Sequence, residues 1–103
     1  MGELIRVVAI DEMPVGSMKS VETNNIRILV CRLEEGFFAV ADECSHDFVP
    51  ISTGALRGKE VVCPRHGAKF NVQTGKPTAP PAVADIDTYE TRIEDGCVYV
   101  VLD

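Results

Sequence analysis

Turn-forming residues recur along the whole chain and limit each apolar segment to a short run. The runs are rich in Val, Ile, Phe and Tyr, and turn residues interrupt them at intervals of about 8 to 12 positions. This spacing is typical of an all-β sandwich or barrel. The sequence therefore predicts an antiparallel all-β domain with almost no helix.

Two hairpins and a first strand stand out in this pattern. "IRILVCRL" and "FFAVAD" flank the turn "EEG", and "DTYETRIE" and "CVYVVL" flank Asp95-Gly96. An Asp-Gly pair between two such runs is a strong hairpin signal, because both residues tolerate positive φ. "LIRVVAI" predicts a first strand, which ends at a turn in "DEMPVGS". We expect these strands to form a scaffold from residues 1–41 and 83–103.

Residues 42–82 differ from the scaffold because they are dense in helix and strand breakers. Nine Gly and Pro residues fall in this segment, which predicts loops with short strands at "EVVCP" and "AKFNV". Loops that project from a rigid β scaffold are where function is usually found. With 103 residues the chain has room for one domain and one core, so we expect a single domain over residues 1–103 with a loop-rich subdomain at 42–82.

Composition and charge exclude several classes of function. With 16 acidic against 10 basic residues the net charge is -6, which repels nucleic acid and anionic membranes. Glu3 and Arg6 interrupt the first apolar run, and no apolar stretch is long enough to span a membrane. We therefore expect a soluble cytoplasmic protein, in which reduced cysteines serve as ligands or as buried thiols.

Both histidines and two of the four cysteines lie in one segment, as Cys44-x-His46 followed after sixteen residues by Cys63-x-x-His66. Incidental placement would require two symmetrical pairs by accident. A zinc site could use these ligands, but common structural zinc sites pair Cys with Cys and His with His along the chain. One Cys and one His from each loop suit a [2Fe-2S] cluster in which two His replace two Cys on one iron.

The segment "CSHDFVPISTGALRGKEVVCPRHGAKFNVQTGKPTAPPA", residues 44–82, resembles the cluster-binding segment of Rieske-type ferredoxins. Within it, "CPRHGAKFNVQTGK" is similar to the family's second loop and its Thr-Gly turn, and "STGALRG" to the connector between the loops. The strands on both sides fit the same family, so the resemblance covers essentially the whole chain. It implies a Rieske-type antiparallel β-sandwich scaffold with a cluster-binding subdomain.

The resemblance also implies a cofactor and a role for each ligand. Cys44 and Cys63 would bind the buried iron of a Rieske [2Fe-2S] cluster, and His46 and His66 the iron nearer the surface. With every iron position occupied by protein or sulfide there is no site for a substrate. The chain would then be an electron carrier and not an enzyme, taking one electron from a flavin-containing ferredoxin reductase and passing it to a terminal, aromatic-ring-hydroxylating oxygenase.

Two departures from the high-potential Rieske proteins of respiratory complexes predict a low reduction potential. Those proteins carry a disulfide between the cluster loops, at positions that are Val49 and Arg65 in this sequence. They also place Ser and Tyr hydroxyls near the cluster sulfurs, where this chain has Ala68 and Phe70. Because both features stabilise the reduced cluster, their loss predicts the low end of the Rieske range of roughly -150 to +300 mV.

Several alternatives stay open at this point. A nitrite reductase small subunit shares the fold but often lacks the ligands, and a ferredoxin for iron-sulfur assembly is a second alternative. A zinc-stabilised β module for protein binding is an alternative of another class, and it would be colourless. Cys31 and Cys97 lie in predicted strands, where we expect small buried thiols and not a disulfide. "KPTAPPA" is expected to be a rigid proline-rich flap over the cluster.

Overall fold

The computed structural model describes residues 3–23, 25–43, 50–64, 67–80 and 84–102. Within these ranges the chain is built from strands, with single 3-10 turns at Ile10–Glu12 and Ile51–Thr53. None of the described segments is a helix that could span a membrane. The strands are β1 Glu3–Ala9, β2 Met18–Thr23, β3 Ile26–Leu33, β4 Gly36–Ala41, β5 Ala55–Arg57, β6 Glu60–Val62, β7 Lys69–Asn71, β8 Pro77–Ala79, β9 Thr88–Glu94 and β10 Cys97–Leu102.

All the strand pairings are antiparallel and fall into two sheets. The larger sheet has the order β1-β10-β9-β4-β3-β2, and the smaller has the order β5-β6-β7-β8. The pairing between the two central strands of the larger sheet is short, because β4 and β9 share only the pairs Ala39–Tyr89 and Val40–Thr88. It therefore divides into two three-stranded halves whose inner faces pack together. The all-β antiparallel fold predicted from the sequence is confirmed.

Strands β3 and β4 are buried on both faces, which explains why "ILVC" reads as a continuous apolar run. Ile28 and Val30 point into the core between the two halves of the larger sheet. Leu29 and Cys31 point the other way, into a second core shared with the smaller sheet. Because side chains alternate along a strand, one strand supplies both cores. The smaller sheet is therefore fixed on the outer face of the β3–β4 hairpin.

Both predicted hairpins are present. The β9–β10 turn places Asp95 at φ 51° and Gly96 at φ 76°, the two positive values that its Asp-Gly sequence favours. The β3–β4 hairpin turns at residues 34–35, with Leu33 opposite Gly36. The predicted strands at "EVVCP" and "AKFNV" correspond to β6 and β7.

Three strands were not predicted from the sequence. Strand β2 was missed because its residues, "MKSVET", are mostly polar, and only half-buried positions such as Val21 face the protein. Strands β5 and β8 have three residues each and lie among Gly and Pro. Within "KPTAPPA", which is predicted to be a flap over the cluster, Pro77–Ala79 forms the edge strand β8, where a proline without an N–H group is tolerated. Residues 81 and 82 of that stretch lie outside the described residues, and the flap stays a prediction.

Candidate metal centre

Residues 43–51, called the first ligand-bearing segment because they include the predicted ligands Cys44 and His46, directly follow a buried carboxylate. Asp42 follows β4 directly, is 1% exposed, and is the one buried charged residue in the described part of the chain. Its Oδ1 accepts a hydrogen bond of 2.7 Å from the Ser52 backbone N–H. Its Oδ2 accepts from the hydroxyls of Ser20, at 2.6 Å, and Ser52, at 2.8 Å. The carboxylate thus joins the two ends of the segment to each other and to β2.

The second ligand-bearing segment is the turn between β6 and β7. Cys63 follows β6 directly and is 1% exposed, within the core below the smaller sheet. Its backbone N–H donates to the carbonyl of Ala68 at 2.6 Å, next to the start of β7. Gly67 adopts φ +71°, a conformation in which glycine is favoured. Cys63 and Ala68 are therefore held together at the two ends of the segment that contains His66.

A glycine brings the two segments together. Gly54 ends the 3-10 turn after the first segment, and its N–H donates to the Ile51 carbonyl at 2.8 Å. A Cβ at this position would lie 1.8 Å from the carbonyl oxygen of Val62, the residue before Cys63. The next residue, Ala55, pairs with Val62 in the β5–β6 ladder. Only a residue without a side chain allows this close approach, so Gly54 sets the spacing between the two segments.

Of the four predicted ligands, one lies among the described residues. Cys63 is described: it is buried and directly follows β6. Cys44, His46 and His66 lie outside the described residues, as do Val49 and Arg65. The described residues contain no group of three or more His, Cys, Asp or Glu side chains that could bind a metal ion.

The donor set fits a mixed Cys and His iron-sulfur centre. Thiolates bind iron in such clusters and imidazoles can replace two of them on one iron. When bound, such a cluster accepts and releases one electron. Asp42 does not stand out in the sequence, because no local pattern marks an Asp after a strand as buried. Gly54 belongs to "STGALRG", the segment similar to the connector between the loops, but its contact with Val62 is not visible in the sequence.

The two other cysteines are not joined to each other. Cys31 is buried in the core that also contains Cys63, and Cys97 is half-buried on β10, both as free thiols. The expectation of a buried thiol holds for Cys31, whereas Cys97 is only half-buried. Burial, with a smaller contribution from the charge of Asp42, raises the pKa of Cys31 to about 12. Cys31 is therefore a neutral thiol at neutral pH.

Iodoacetamide at pH 8 is expected to alkylate Cys97 in the folded protein and to leave Cys31 unmodified. With a pKa of about 12, roughly one Cys31 in ten thousand is in the reactive thiolate form at pH 8. Mass spectrometry of the digested protein measures both sites. Denatured protein, in which both thiols should react alike, is the control. Equal rates at the two sites in the folded protein would contradict the burial of Cys31.

Comparison with known proteins agrees with this geometry. Residues 3–90 match the Rieske [2Fe-2S] domain family. The ferredoxin component of the naphthalene 1,2-dioxygenase/salicylate 5-hydroxylase systems of Ralstonia sp. is 34% identical over 99 residues, which cover 96% of this chain and 95% of the relative. The biphenyl 2,3-dioxygenase ferredoxin component of Rhodococcus jostii (strain RHA1) is 36% identical over 100 residues, covering 97% and 94%.

A solved structure extends the agreement to three dimensions. The complex of reduced oxygenase and oxidized ferredoxin in carbazole 1,9a-dioxygenase contains a chain that is 33% identical to this one. The two superpose with a TM-score of 0.91, over 94% of this chain and 91% of the other. The chain belongs to the Rieske [2Fe-2S] domain family, and its cofactor is a Rieske-type [2Fe-2S] cluster.

Proposed function

We propose that the chain is the ferredoxin of a multicomponent oxygenase system, a one-electron carrier between a flavin-containing reductase and a terminal oxygenase. The observation that carries this proposal is the near full-length similarity to ferredoxin components of dioxygenase systems. A matching chain occurs in a solved complex with the oxygenase of carbazole 1,9a-dioxygenase. The aromatic-ring-hydroxylating class of the acceptor is part of the proposal and rests on these relatives.

We assign the ligands by position in the two segments. Cys44 and Cys63 bind the inner iron, and His46 and His66 bind the outer iron, through which the electron enters and leaves. The burial of Cys63 in the core supports the inner position of the thiolates. Each transfer moves one electron and breaks no bond, so the chain itself needs no general acid, base or open metal position.

The proposed organisation is one domain with two parts. The larger sheet uses strands from both ends of the chain, and the smaller sheet and both ligand-bearing segments lie between Asp42 and Ala79. This division supports a scaffold of residues 1–41 and 83–103 with a cluster-binding subdomain of residues 42–82. A cytoplasmic location is part of the same proposal and is supported by the free thiols of Cys31 and Cys97, which are usual in a reducing compartment.

Electron paramagnetic resonance of the dithionite-reduced protein tests the proposal, with iron and sulfide analysis and a redox titration of the same sample. The expected result is a red-brown protein with a rhombic Rieske signal and a midpoint at the low end, about -150 mV. Addition of a flavin reductase and a ring-hydroxylating oxygenase should then give turnover only when the ferredoxin is present. A colourless protein that contains zinc would overturn the proposal and favour a structural site.

The Ala68→Ser variant is expected to raise the midpoint potential by roughly 40 mV, which is one net hydrogen bond of about 1 kcal/mol converted for a one-electron couple. Ala68 is fully buried beside Cys63, at a position where high-potential relatives carry a hydroxyl. A donor to a cluster sulfur stabilises the reduced, more negative form. The same change at Ala79, on the edge strand β8, is the control and should leave the potential unchanged. An equal shift of the midpoint potential in Ala68→Ser and Ala79→Ser would contradict the proposal that a hydroxyl at position 68 donates to a cluster sulfur.

A further inference from the structure

Asp42 combines three properties that are unusual together. It is a carboxylate with almost no exposure, it accepts three hydrogen bonds, and no Lys or Arg in the described part of the chain forms an ion pair with it. Burial of a carboxylate without a cation is costly unless hydrogen bonds satisfy its oxygens. A Ser or Ala at position 42 would avoid that cost. A carboxylate at this buried position is therefore expected to have a specific role.

The partners of Asp42 show what its side chain joins. Ser52 donates through both its backbone N–H and its hydroxyl, and it lies at the end of the segment that starts just after Asp42. Ser20 donates from β2, at the edge of the larger sheet. The Asp42 backbone N–H donates to the carbonyl of Arg27 at the start of β3. The residue thus connects β2, β3 and the 3-10 turn at one point.

That point lies at the base of the first ligand-bearing segment. Cys44 is two residues from Asp42, and His46 is four residues away, in a segment whose two ends the carboxylate joins. When the two ends of a segment are joined, the positions that the residues between them can take are limited. On the other side of the site, Cys63 is fixed in the core by its strand. The first segment is joined to the sheets by the carboxylate of Asp42.

We propose that Asp42 is the positioning residue of the metal centre: its carboxylate closes the base of the segment that carries Cys44 and His46 and fixes that segment to the larger sheet. This inference rests on the proposed function, since it takes those two residues as ligands. The action depends on hydrogen bonds. Asn, which has the same shape and can accept from the Ser52 N–H, should replace Asp in large part, because the Ser20 and Ser52 hydroxyls can rotate to accept from its amide.

The test compares Asp42→Ala with Asp42→Asn in the cluster-containing protein. Asp42→Ala is expected to lose its cluster to a chelator roughly tenfold to a hundredfold faster than wild type, as the loss of a hydrogen bond to a charged group implies. Its paramagnetic resonance signal should broaden, because the ligands of the first segment are no longer held in one arrangement. Asp42→Asn should restore the narrow signal and most of the cluster retention.

A matched control separates positioning from general stability. Arg32 donates to the carbonyls of Ile10 and Met13, at 3.1 and 2.7 Å, from the opposite end of the β3–β4 hairpin. Arg32→Met should lower the melting temperature without changing the signal or the chelator rate. If Asp42→Ala changes only the melting temperature, as Arg32→Met does, the proposal is overturned.

Three further outcomes are decisive. If Asp42→Ala does not fold, Ser20→Ala removes one of the three donors and should give a smaller change of the same kind; a Ser20→Ala protein with wild-type signal and wild-type chelator rate would then refute the positioning role. If the wild-type protein shows no Rieske signal, the proposed function fails, and the role of Asp42 falls with it. A normal wild-type signal with unchanged Asp42 variants refutes the positioning role alone.

Discussion

The His66→Cys variant is expected to lose the properties of a Rieske centre, with a midpoint potential lower by roughly 100 mV or more, or with no assembled cluster. An oxidised cluster with two thiolates and two neutral imidazoles has zero formal charge, so an added electron meets little repulsion. A third thiolate adds a negative charge that opposes reduction. The low end of the Rieske range lies about 250 mV above plant-type clusters with four Cys, and one of the two His ligands accounts for about half of that gap.

A redox titration followed by paramagnetic resonance measures this change. Residue 66 belongs to the turn whose ends are joined by the 2.6 Å hydrogen bond from the Cys63 N–H to Ala68, so the substitution leaves the described supports of the turn in place. Cys97→Ser is the matched control, since it alters a thiol on β10 in the larger sheet. Unchanged potential and spectrum in His66→Cys would show that His66 is not a ligand.

The parts of the fold that could be predicted are those fixed by neighbouring residues. The turn at Asp95 and Gly96 is encoded in the two residues that adopt positive φ, and the flanking strands alternate in the same register. The β3 run is apolar because both its faces are buried. By contrast, β8 has only three residues and pairs with β7 only through Lys69–Ala79 and Phe70–Pro77, so its existence depends on β7 beside it.

The supports of the metal centre could not be predicted for the same reason. Asp42 accepts hydrogen bonds from residues 22 and 10 positions away, and in the sequence it is one acid among several near the end of a strand. The predicted ligands stand out because Cys and His are rare in this chain and their spacing matches a metal site. Residues that support the site by hydrogen bonds, such as Asp and Ser, are common and do not stand out. Gly54 stands in "STGALRG", the segment similar to the connector between the loops, but the sequence does not show that it lies against Val62.

Gly54→Ala is expected to destabilise the protein strongly, by about 3 kcal/mol or more. The new Cβ would lie 1.8 Å from the Val62 carbonyl oxygen and 3.0 Å from its carbon, so one backbone segment must move. The backbone at Val62 cannot move freely. Val62 is paired with Ala55 on one side and Lys69 on the other. Since Cys63 follows Val62, displacement would also change the distance between the two ligand-bearing segments.

Thermal unfolding and iron content measure the two consequences separately. For a domain of this size the melting temperature should fall by roughly 12 °C or more, and the purified protein should contain little iron. Gly58→Ala is the matched control in the same small sheet, because its Cβ meets nothing within 4 Å and the cost is that of a side chain at φ +60°, about 1 kcal/mol. Gly58→Ala should therefore keep its cluster. If both variants were equally stable and equally loaded with iron, the close approach of Gly54 to Val62 would not be what sets the spacing of the two segments.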